Sequence, residues 1–428
     1  MARQKEESEY YDELEVMSRQ EREEYYNRKL QEQVKYAYDH ARDMRAKLDS
    51  VGIRPSDIRT GKDMEKIPIT PKDQLISLRQ ANPPFGGLLG VPPEKLGIIF
   101  MSPGPIYDVQ SLDDSFNRRF QRSFYATGFR PGDLVVNCLS YHMVPSGHWV
   151  EQALTSFGAT VIPMGVGNTE LQVQVLQDMQ ATGWIGFCSF LMIILNKAEE
   201  LGYDVRRDFS LRVACPHGEM GGAQMREIYE EKYGIISTDI YPTADVGVVG
   251  YECQKKGGLH IPEEIFVEII NPETGKQVGP GEVGEVVVTP LDTTTYPLIR
   301  FGTGDLSSYT DEPCPCGRTS LKLSRVLGRV GDAVRARGMF IHPRQTGEVV
   351  AKFSEIDRYQ VVVTRPQFKD ELALKIELTD EAIDKQKLTA EVKKTFQDIC
   401  RLNVDQVDFV PKGTIPDGAK VIVDERTY

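Results

Sequence analysis

Three cysteines and one histidine are of the types that bind zinc. Cys253 and His260 bracket a glycine-containing turn, CQKKGGLH, and Cys314 and Cys316 stand together in EPCPCGRTS. Three thiolates and one imidazole complete the tetrahedral shell of a structural zinc site. The alternative is four unrelated reduced residues, since a disulfide across a one-residue gap would be strained. We predict a structural zinc ion with no open position for water.

Two further segments place carboxylates at the ends of apolar strands. YPTADVG (241–247) follows IISTDI and combines an aromatic ring, a hydroxyl and a carboxylate, which can stack a purine, contact a phosphate and hold magnesium. PLIRFGTGDLSSY (297–309) turns into Gly-Thr-Gly-Asp, where Asp305 is placed to accept two ribose hydroxyls. Taken singly, the first is also an ordinary strand-to-loop corner, and the second a glycine-rich turn with an Asx cap.

A third segment, GRVGDAVRARGMFIHP (328–343), combines a cation with glycines. Arg329 is suited to contact a ribose or a phosphate, and the adjoining glycines allow the backbone rotation that a hinge requires. The alternative is a basic hairpin on the surface.

The segments that must position these residues show two patterns of secondary structure. Residues 9–50 are dense in charge with apolar positions at helical spacing, and from Leu96 short strands such as LGIIFM, DLVVNCLS and GATVIPMG alternate with helices. Near Ile265 the pattern becomes antiparallel β with turn-rich connections. We predict the α/β class, with a large N-terminal domain (1–328) of α/β layers plus an antiparallel β segment, and a small C-terminal α+β domain (329–428).

Charge and hydropathy limit the partners. The 428 residues carry 51 Lys and Arg against 63 Asp and Glu, a net charge of −12, which disfavours nucleic acid and anionic membrane as main partners. We find no run near the roughly 20 apolar residues that span a bilayer, and the N-terminus is too acidic for a signal peptide. We expect a cytoplasmic protein, where thiols stay reduced, and a homodimer is left open.

In their order and spacing, these segments resemble the signature segments of the adenylate-forming superfamily, and most closely those of phenylacetate–CoA ligases. Further matches extend over nearly the whole chain, among them YYDELEVMSRQE, ATGFRPGDLVVNCLSY, GATVIPMGVGNTELQ and GLHIPEE. The resemblance implies a ligase that uses ATP, Mg²⁺ and coenzyme A to convert a small carboxylic acid, through an acyl-AMP, into a CoA thioester. Some relatives of this kind share the Cys and His pattern.

The resemblance also implies roles for individual residues. For the nucleotide it implies contacts with the phosphate loop, the adenine and acyl pocket, the ribose and the domain boundary: Ser102, Gly104, Gly218, Glu219, Asp239, Tyr241, Pro242, Thr243, Asp305 and Arg329. For the acid it implies Tyr141, His142, Gly147 and His217, and for coenzyme A it implies Gly338. The catalytic candidates are Asp245 on magnesium and Lys420 in adenylation, with Lys412 as the fallback lysine.

The phosphate loop departs from the family pattern. The aligned stretch FMSPGPIYD (100–108) has no Thr and no Lys, and each of its two prolines removes a backbone donor. Asp245 replaces the usual Glu, and Ala244 stands where a hydroxyl is expected. Because these losses affect the triphosphate more than the adenosine, we expect AMP or acyl-AMP to bind more tightly than ATP.

The predicted function is therefore an AMP-forming ligase that joins a small aryl or short hydroxy acid to coenzyme A. An aryl acetate or benzoate is the family default, while His142, Met143, His148 and Trp149 leave a small hydroxy acid open. Two alternatives remain: an adenylating enzyme with an acceptor other than CoA, and a non-catalytic adenylate-binding regulator. Pyrophosphate release with and without CoA separates the three.

Overall fold

The computed structural model describes residues 8–102, 106–111, 117–216, 218, 222–272, 274–330, 334–337, 339–341, 343–380, 382–400 and 402–426. The chain divides into two compact units, which meet in sequence between Val330 and Gly331. We call them the large unit and the small unit.

The large unit contains nine α-helices and seventeen strands among its described residues. In chain order they are α1 (Arg19–His40), α2 (Arg42–Ser50), β1 (Thr70–Pro71), α3 (Gln74–Ala81), β2 (Leu96–Ser102), β3 (Ile106–Ser111), α4 (Asn117–Thr127), β4 (Leu134–Asn137), α5 (Ser146–Phe157), β5 (Thr160–Ile162), α6 (Thr169–Asp178), β6 (Gly183–Gly186), α7 (Cys188–Glu200), α8 (Val205–Asp208), β7 (Val213–Pro216), α9 (Gly222–Glu231), β8 (Ile236–Ser237), β9 (Ile240–Thr243), β10 (Gly247–Glu252), β11 (Leu259–His260), β12 (Ile265–Ile270), β13 (Gly284–Pro290), β14 (Phe301–Ser307), β15 (Tyr309–Thr310), β16 (Lys322–Leu323) and β17 (Gly328–Arg329).

The charged N-terminal region forms α1 and α2, as its periodicity predicted. Helix α1 begins at a capping box in which the Ser18 hydroxyl accepts the Glu21 N–H and the Glu21 carboxylate accepts the Ser18 N–H. Leu30, Val34 and Ala37 recur at helical spacing and are buried in the core of the large unit. Burial of this apolar stripe holds an otherwise polar helix on the body.

A five-stranded parallel sheet in the order β5-β4-β6-β7-β8 forms one layer of the large unit. Helices connect its consecutive strands, because parallel neighbours need a crossover of a dozen or more residues. Strands β6 and β7 are buried along their whole length. The chain leaves the carboxyl ends of β4 and β7 toward Tyr141 and Gly218, at the edge where ligands bind in such sheets.

The remaining sheets of the large unit are mainly antiparallel. Strands β12, β13 and β14 form one sheet, to which β1 adds in parallel and β17 adds beside β14. Strands β9, β10, β11, β16 and β15 form another.

The LGIIFM strand departs from the prediction, because β2 pairs antiparallel with β3 rather than joining the parallel sheet. Only three residues separate β2 from β3, too few for a parallel crossover.

The small unit is a four-stranded sheet with two helices and a separate hairpin. Its elements are β18 (Val334–Ala336), β19 (Met339–Ile341), α10 (Pro343–Val350), β20 (Ile356–Thr364), β21 (Glu371–Leu378), α11 (Lys385–Cys400), β22 (Gln406–Phe409) and β23 (Ile422–Asp424). The sheet order is β22-β21-β20-β23, with an antiparallel central pair and parallel outer strands. The sequence pattern did not predict α10 or β23. In neither unit does a described helix combine the length and apolarity needed to cross a membrane.

Candidate functional site

Tyr241, Asp305 and Arg329 meet in the large unit, although they come from three different strands. Strands β14 and β17 place Asp305 directly opposite Arg329, whose Nε lies 2.9 Å from Asp305 Oδ1. The Tyr241 hydroxyl, from β9, donates to Asp305 Oδ2 at 2.6 Å. The structure therefore brings together the residues expected to contact adenine, ribose and phosphate.

This arrangement leaves Asp305 able to accept further hydrogen bonds. A carboxylate offers about four acceptor positions, and the two named partners use one on each oxygen. Burial, followed by the Asp305 charge, raises the pKa of Tyr241 well above its ordinary value, so its hydroxyl remains a donor at neutral pH. The preceding Gly304 has φ +75°, a left-handed conformation that favours glycine. The predicted Gly-Thr-Gly-Asp turn is instead part of strand β14, and this strand presents a carboxylate suited to a pair of hydroxyl donors.

Asp245 lies in the turn between β9 and β10. Thr243 pairs with Gly247 across this turn, and its hydroxyl accepts the Val246 N–H at 3.2 Å. Pro242 lies one register position away, opposite Val248 on β10. The turn residues that the resemblance assigns to the nucleotide therefore form a rigid support for Asp245.

The Asp245 side chain is only 1% exposed, and its two oxygens differ. Oδ2 accepts a hydrogen bond from Lys72 Nζ at 2.6 Å, while Oδ1 has no hydrogen-bond partner among the described residues. A buried, unpartnered carboxylate oxygen is costly unless something binds it. Because Mg²⁺ prefers carboxylate oxygens, this atom fits the predicted magnesium site.

Lys72 is a candidate residue that the sequence did not reveal. It follows β1 directly, and its backbone N–H donates to the Gly302 carbonyl on β14 at 3.0 Å. This parallel pairing places the lysine beside both Asp245 and the strand that carries Asp305. The local sequence, ITPKDQL, contains no signal for that contact, because the contact depends on sheet pairing between segments far apart in the chain.

Asp239 and Gly218 lie near the carboxyl end of the parallel sheet, in the stretches that follow β8 and β7. Asp239 pairs with Arg226 of α9 at 3.1 Å, and burial raises the pKa of Asp239. Arg226 was not predicted. Gly218 follows β7 and has φ +86°. The candidates Gly104, His217, Glu219 and Gly338 lie outside the described residues.

The phosphate-loop stretch covers the end of β2 and the start of β3, and its residues 103–105 lie outside the described residues. Ser102, whose backbone alone is described, ends β2 opposite Ile106. Arg79 of α3 is buried beside the hairpin and donates to the Tyr107 carbonyl at 2.8 Å and to the Tyr296 hydroxyl at 2.9 Å. Arg79, like Lys72, brings a positive charge to the region of the phosphate-loop stretch from a separate segment of the chain.

The acid-pocket candidates form a tight loop after β4. Asn137 Nδ2 donates to the Tyr141 hydroxyl at 2.8 Å and to the Gly147 carbonyl at 2.9 Å. A Cβ atom on Gly147 would lie 2.7 Å from the Ser140 carbonyl oxygen and 2.9 Å from the Tyr141 ring, so the packing requires glycine. The Tyr141 ring also meets His148 edge-on, with centroids 5.1 Å apart. Its position is therefore strongly restrained.

The loop that follows β4 lies against strand β2 of the β2–β3 pair. The Met101 N–H on β2 donates to the Met143 carbonyl at 2.6 Å, and Met143 has φ +65°, which is uncommon for a non-glycine residue. His142 is exposed, with its N–H bonded to the Ser140 hydroxyl at 3.2 Å. Tyr141 and His142 are thus brought next to the strand that ends at Ser102.

The four predicted zinc ligands converge at the β15-β16-β11-β10 region. Cys253 Sγ lies 3.7 Å from Cys314 Sγ, and Cys316 Sγ lies 3.5 Å from His260 Nε2. All four ligand atoms fall within 4.8 Å of one another. A tetrahedral zinc ion with bonds of about 2.3 Å to sulfur and about 2.0–2.1 Å to nitrogen requires edges of about 3.8 and 3.6 Å. The Cys253–Cys314 and Cys316–His260 spacings match that requirement.

The surroundings of the cluster also suit a metal. His260 Nδ1 lies 3.2 Å from the Ser320 hydroxyl, an outer contact that orients Nε2 toward the thiols. A hydrogen bond from the Cys253 thiol holds the pKa of Cys316 well below its usual range. The remaining cysteines are buried elsewhere: Cys138, Cys188, Cys215 and Cys400.

The candidate lysines of the small unit differ in their contacts. Lys412 Nζ donates to the Thr379 carbonyl at 2.9 Å. Lys420 is exposed just before β23, and its carbonyl accepts a hydrogen bond from Gln360 Nε2 at 2.9 Å. The backbone of Lys420 is therefore tied to β20.

Comparisons with known proteins relate the chain to CoA ligases. The family model described as "AMP-binding enzyme C-terminal domain" matches residues 338–426. The phenylacetate–coenzyme A ligase of Thermus thermophilus is 31% identical over 382 residues, covering 87% of this chain and 84% of the relative. That of Escherichia coli K12 is 31% identical over 384 residues, covering 87% and 86%. A crystal structure of 2-hydroxyisobutyryl-CoA ligase with 2-HIB-AMP and CoA matches with a TM-score of 0.91 at 26% identity, covering 98% of this chain and 93% of the other. Together with the converging site, these similarities show that the chain belongs to the phenylacetate–coenzyme A ligase family and is an AMP-forming acid–CoA ligase.

Proposed function

We propose that this ligase activates a small carboxylic acid, either an aryl acid or a short hydroxy acid. The observation that carries activation through an acyl-AMP is the convergence of Tyr241, Asp305 and Arg329, with the Lys72–Asp245 pair held by the end of β1 and the turn after β9. One set of contacts suits an adenosine, and the other suits phosphate and its cation. The relatives named for phenylacetate and for 2-hydroxyisobutyrate support both classes of acid.

In the first step, a carboxylate oxygen of the acid attacks the α-phosphate of ATP, and pyrophosphate leaves. Asp305 binds the two ribose hydroxyls, while Tyr241 and Arg329 hold its carboxylate in place. Asp245 would hold Mg²⁺, which supplies positive charge to the phosphates when bound. The Lys72 ammonium beside Asp245 can offset negative charge of the phosphates, and Lys420 is the lysine that the family resemblance assigns to this step, so catalysis is mainly positioning and electrostatics.

In the second step, the CoA thiolate attacks the acyl carbonyl carbon and AMP leaves. We assign the β18–β19 hairpin, between whose strands Gly338 stands in the sequence, to CoA on the family resemblance. Tyr141, His142 and Gly147 border the acid in both steps. Since the Tyr141 ring is held by Asn137, Gly147 and His148, we infer that it forms a fixed wall of the acid pocket.

Pyrophosphate release from ATP tests this function. Phenylacetate, benzoate and 2-hydroxyisobutyrate are offered separately, with and without CoA, and thioester is measured by mass spectrometry. We expect pyrophosphate with at least one acid, and thioester only when CoA is present. Pyrophosphate without any thioester would indicate another acceptor. AMP binding without pyrophosphate release would indicate a regulator.

We also propose that Cys253, His260, Cys314 and Cys316 bind a structural zinc ion. The support is the match between their spacings and a tetrahedral shell. A closed shell of four protein ligands leaves no position for water, so the ion would stabilise the fold without taking part in the reaction. The cytoplasmic location and a homodimer remain predictions from the sequence.

A further inference from the structure

Strand β21 of the small unit has a buried carboxylate near each end. Asp370 immediately precedes the strand and is 6% exposed, while Glu377 lies one residue before its end and is 1% exposed. Burying a carboxylate is costly unless hydrogen bonds compensate for the lost water. The hydrogen-bond partners of Asp370 and Glu377 therefore show which segment of the small unit each carboxylate holds in place.

Glu377 binds the loop that leads from β22 to Lys420. Its Oε1 accepts the Ile415 N–H at 2.6 Å, and its Oε2 accepts the Gly413 N–H at 3.1 Å. Arg358 on β20 donates to the Ile415 carbonyl at 3.0 Å, so side chains bind both the N–H and the carbonyl of Ile415. The backbone of this loop is fixed by side chains of two sheet strands.

Asp370 binds the turn of the β18–β19 hairpin. Its Oδ2 accepts the Arg337 N–H at 2.8 Å, and its Oδ1 accepts Arg365 Nε at 2.7 Å. Arg337 has φ +50°, and its guanidinium donates to the Asp370 carbonyl at 3.0 Å and pairs with Asp405. A non-glycine residue in this left-handed conformation is strained, so it needs such restraints.

We propose that Glu377 and Asp370 are positioning residues for two different half-reactions. Glu377 holds the Lys420 loop for adenylation, and Asp370 holds the β18–β19 hairpin for thioester formation. This inference rests on the proposed function, in which the lysine serves the first step and the hairpin serves the second. The two carboxylates act through backbone groups and do not touch the reactants.

Two near-isosteric variants, Glu377→Gln and Asp370→Asn, separate the roles. The new amide nitrogen is a donor and cannot accept the backbone N–H that the carboxylate bound. Pyrophosphate release from ATP with phenylacetate or 2-hydroxyisobutyrate reports the first step, and thioester formation from the matching synthetic acyl-AMP plus CoA reports the second. Glu371→Gln, which alters an exposed carboxylate on the same strand, is the control.

We expect Glu377→Gln to lower kcat for pyrophosphate release by about tenfold or more, with the KM for ATP and the second step changed by less than about twofold. Asp370→Asn should reverse this pattern, and Glu371→Gln should change neither step. Hydrogen exchange should accelerate at 411–420 in Glu377→Gln and in β18 and β19 in Asp370→Asn. If either variant fails to fold, Gln360→Ala or Asp405→Asn takes its place, since each removes one contact of the same segment.

Equal losses in both half-reactions, or no loss in either, would overturn the inference while leaving the ligase function intact. Hydrogen exchange that changes equally in both segments would also overturn it. A parent protein that turns over none of the acids would instead overturn the proposed function, together with the roles assigned here.

Discussion

Replacing Lys72 by methionine tests the buried ion pair at the centre of the candidate site. Its ammonium is the counter-ion of Asp245, whose side chain is 1% exposed and whose Oδ1 has no hydrogen-bond partner within the described part of the chain. Methionine keeps most of the side-chain volume and removes the charge. The variant therefore leaves a buried carboxylate without its cation.

The expected loss of stability follows from how deeply Lys72 and Asp245 are buried. Removing one partner of a fully buried ion pair costs about 3–5 kcal/mol. The Lys72 side chain is 24% exposed, so water compensates part of the loss, and we expect about 1.5–3 kcal/mol. Asp245→Asn should rescue much of this destabilisation, with a coupling energy of about 1–2 kcal/mol in the double-mutant cycle.

Tryptophan fluorescence during urea unfolding measures the free energy of unfolding of the large unit. The only two tryptophans, Trp149 and Trp184, both lie in the large unit. Lys66→Met is the matched control, because Lys66 pairs with Asp63 at the surface, and it should cause no measurable change.

Added Mg²⁺ should stabilise Lys72→Met more than the parent, since a cation at Asp245 would replace the missing charge. A coupling energy below about 0.5 kcal/mol would refute the ion-pair reasoning. Equal stabilisation of parent and variant by Mg²⁺ would refute the assignment of the cation to Asp245.

Four further outcomes are expected. Purified protein should contain about one zinc per chain, and Cys314→Ser should lose the metal and melt at lower temperature, because the shell would be left with three ligands; metal-free protein of unchanged melting temperature would contradict this. Asp305→Ala should weaken AMP binding by about 1.5–3 kcal/mol in calorimetry, since it loses charged hydrogen bonds to the ribose; unchanged affinity would refute the assignment. AMP should bind more tightly than ATP at fixed magnesium, because the loop with Pro103 and Pro105 offers few donors; equal affinity would indicate that cations such as Lys72 replace the loop. A backbone hydrogen bond from Ile415 lowers the pKa of Glu377 below its ordinary 4.5, so the stability it contributes is present above pH 4.5 and is lost as pH falls through the lowered pKa. Acid unfolding of the small unit, followed by hydrogen exchange, should therefore be flatter in Glu377→Gln; identical profiles would contradict the contact.

The sequence alone was sufficient for the fold class and the family. Tyr241, Asp305 and the glycines around them lie in short segments whose order along the chain is specific, so recognition did not require their spatial positions. The Cys and His set was predicted from coordination chemistry, because two local pairs complete one tetrahedral shell. The helical period of residues 19–40 likewise identifies the face of α1 that is buried.

The tertiary structure alone decided which charges face one another. Lys72 meets Asp245 only because β1 pairs with β14, and Arg226 meets Asp239 only through the position of α9. The antiparallel pairing of β2 with β3 likewise depends on the three-residue length of their connection rather than on the strand pattern. Hydrophobic periodicity records which face of an element is buried, but it contains no information about which distant element covers that face. Ion pairs between separate elements follow from that packing, so no local pattern could predict them.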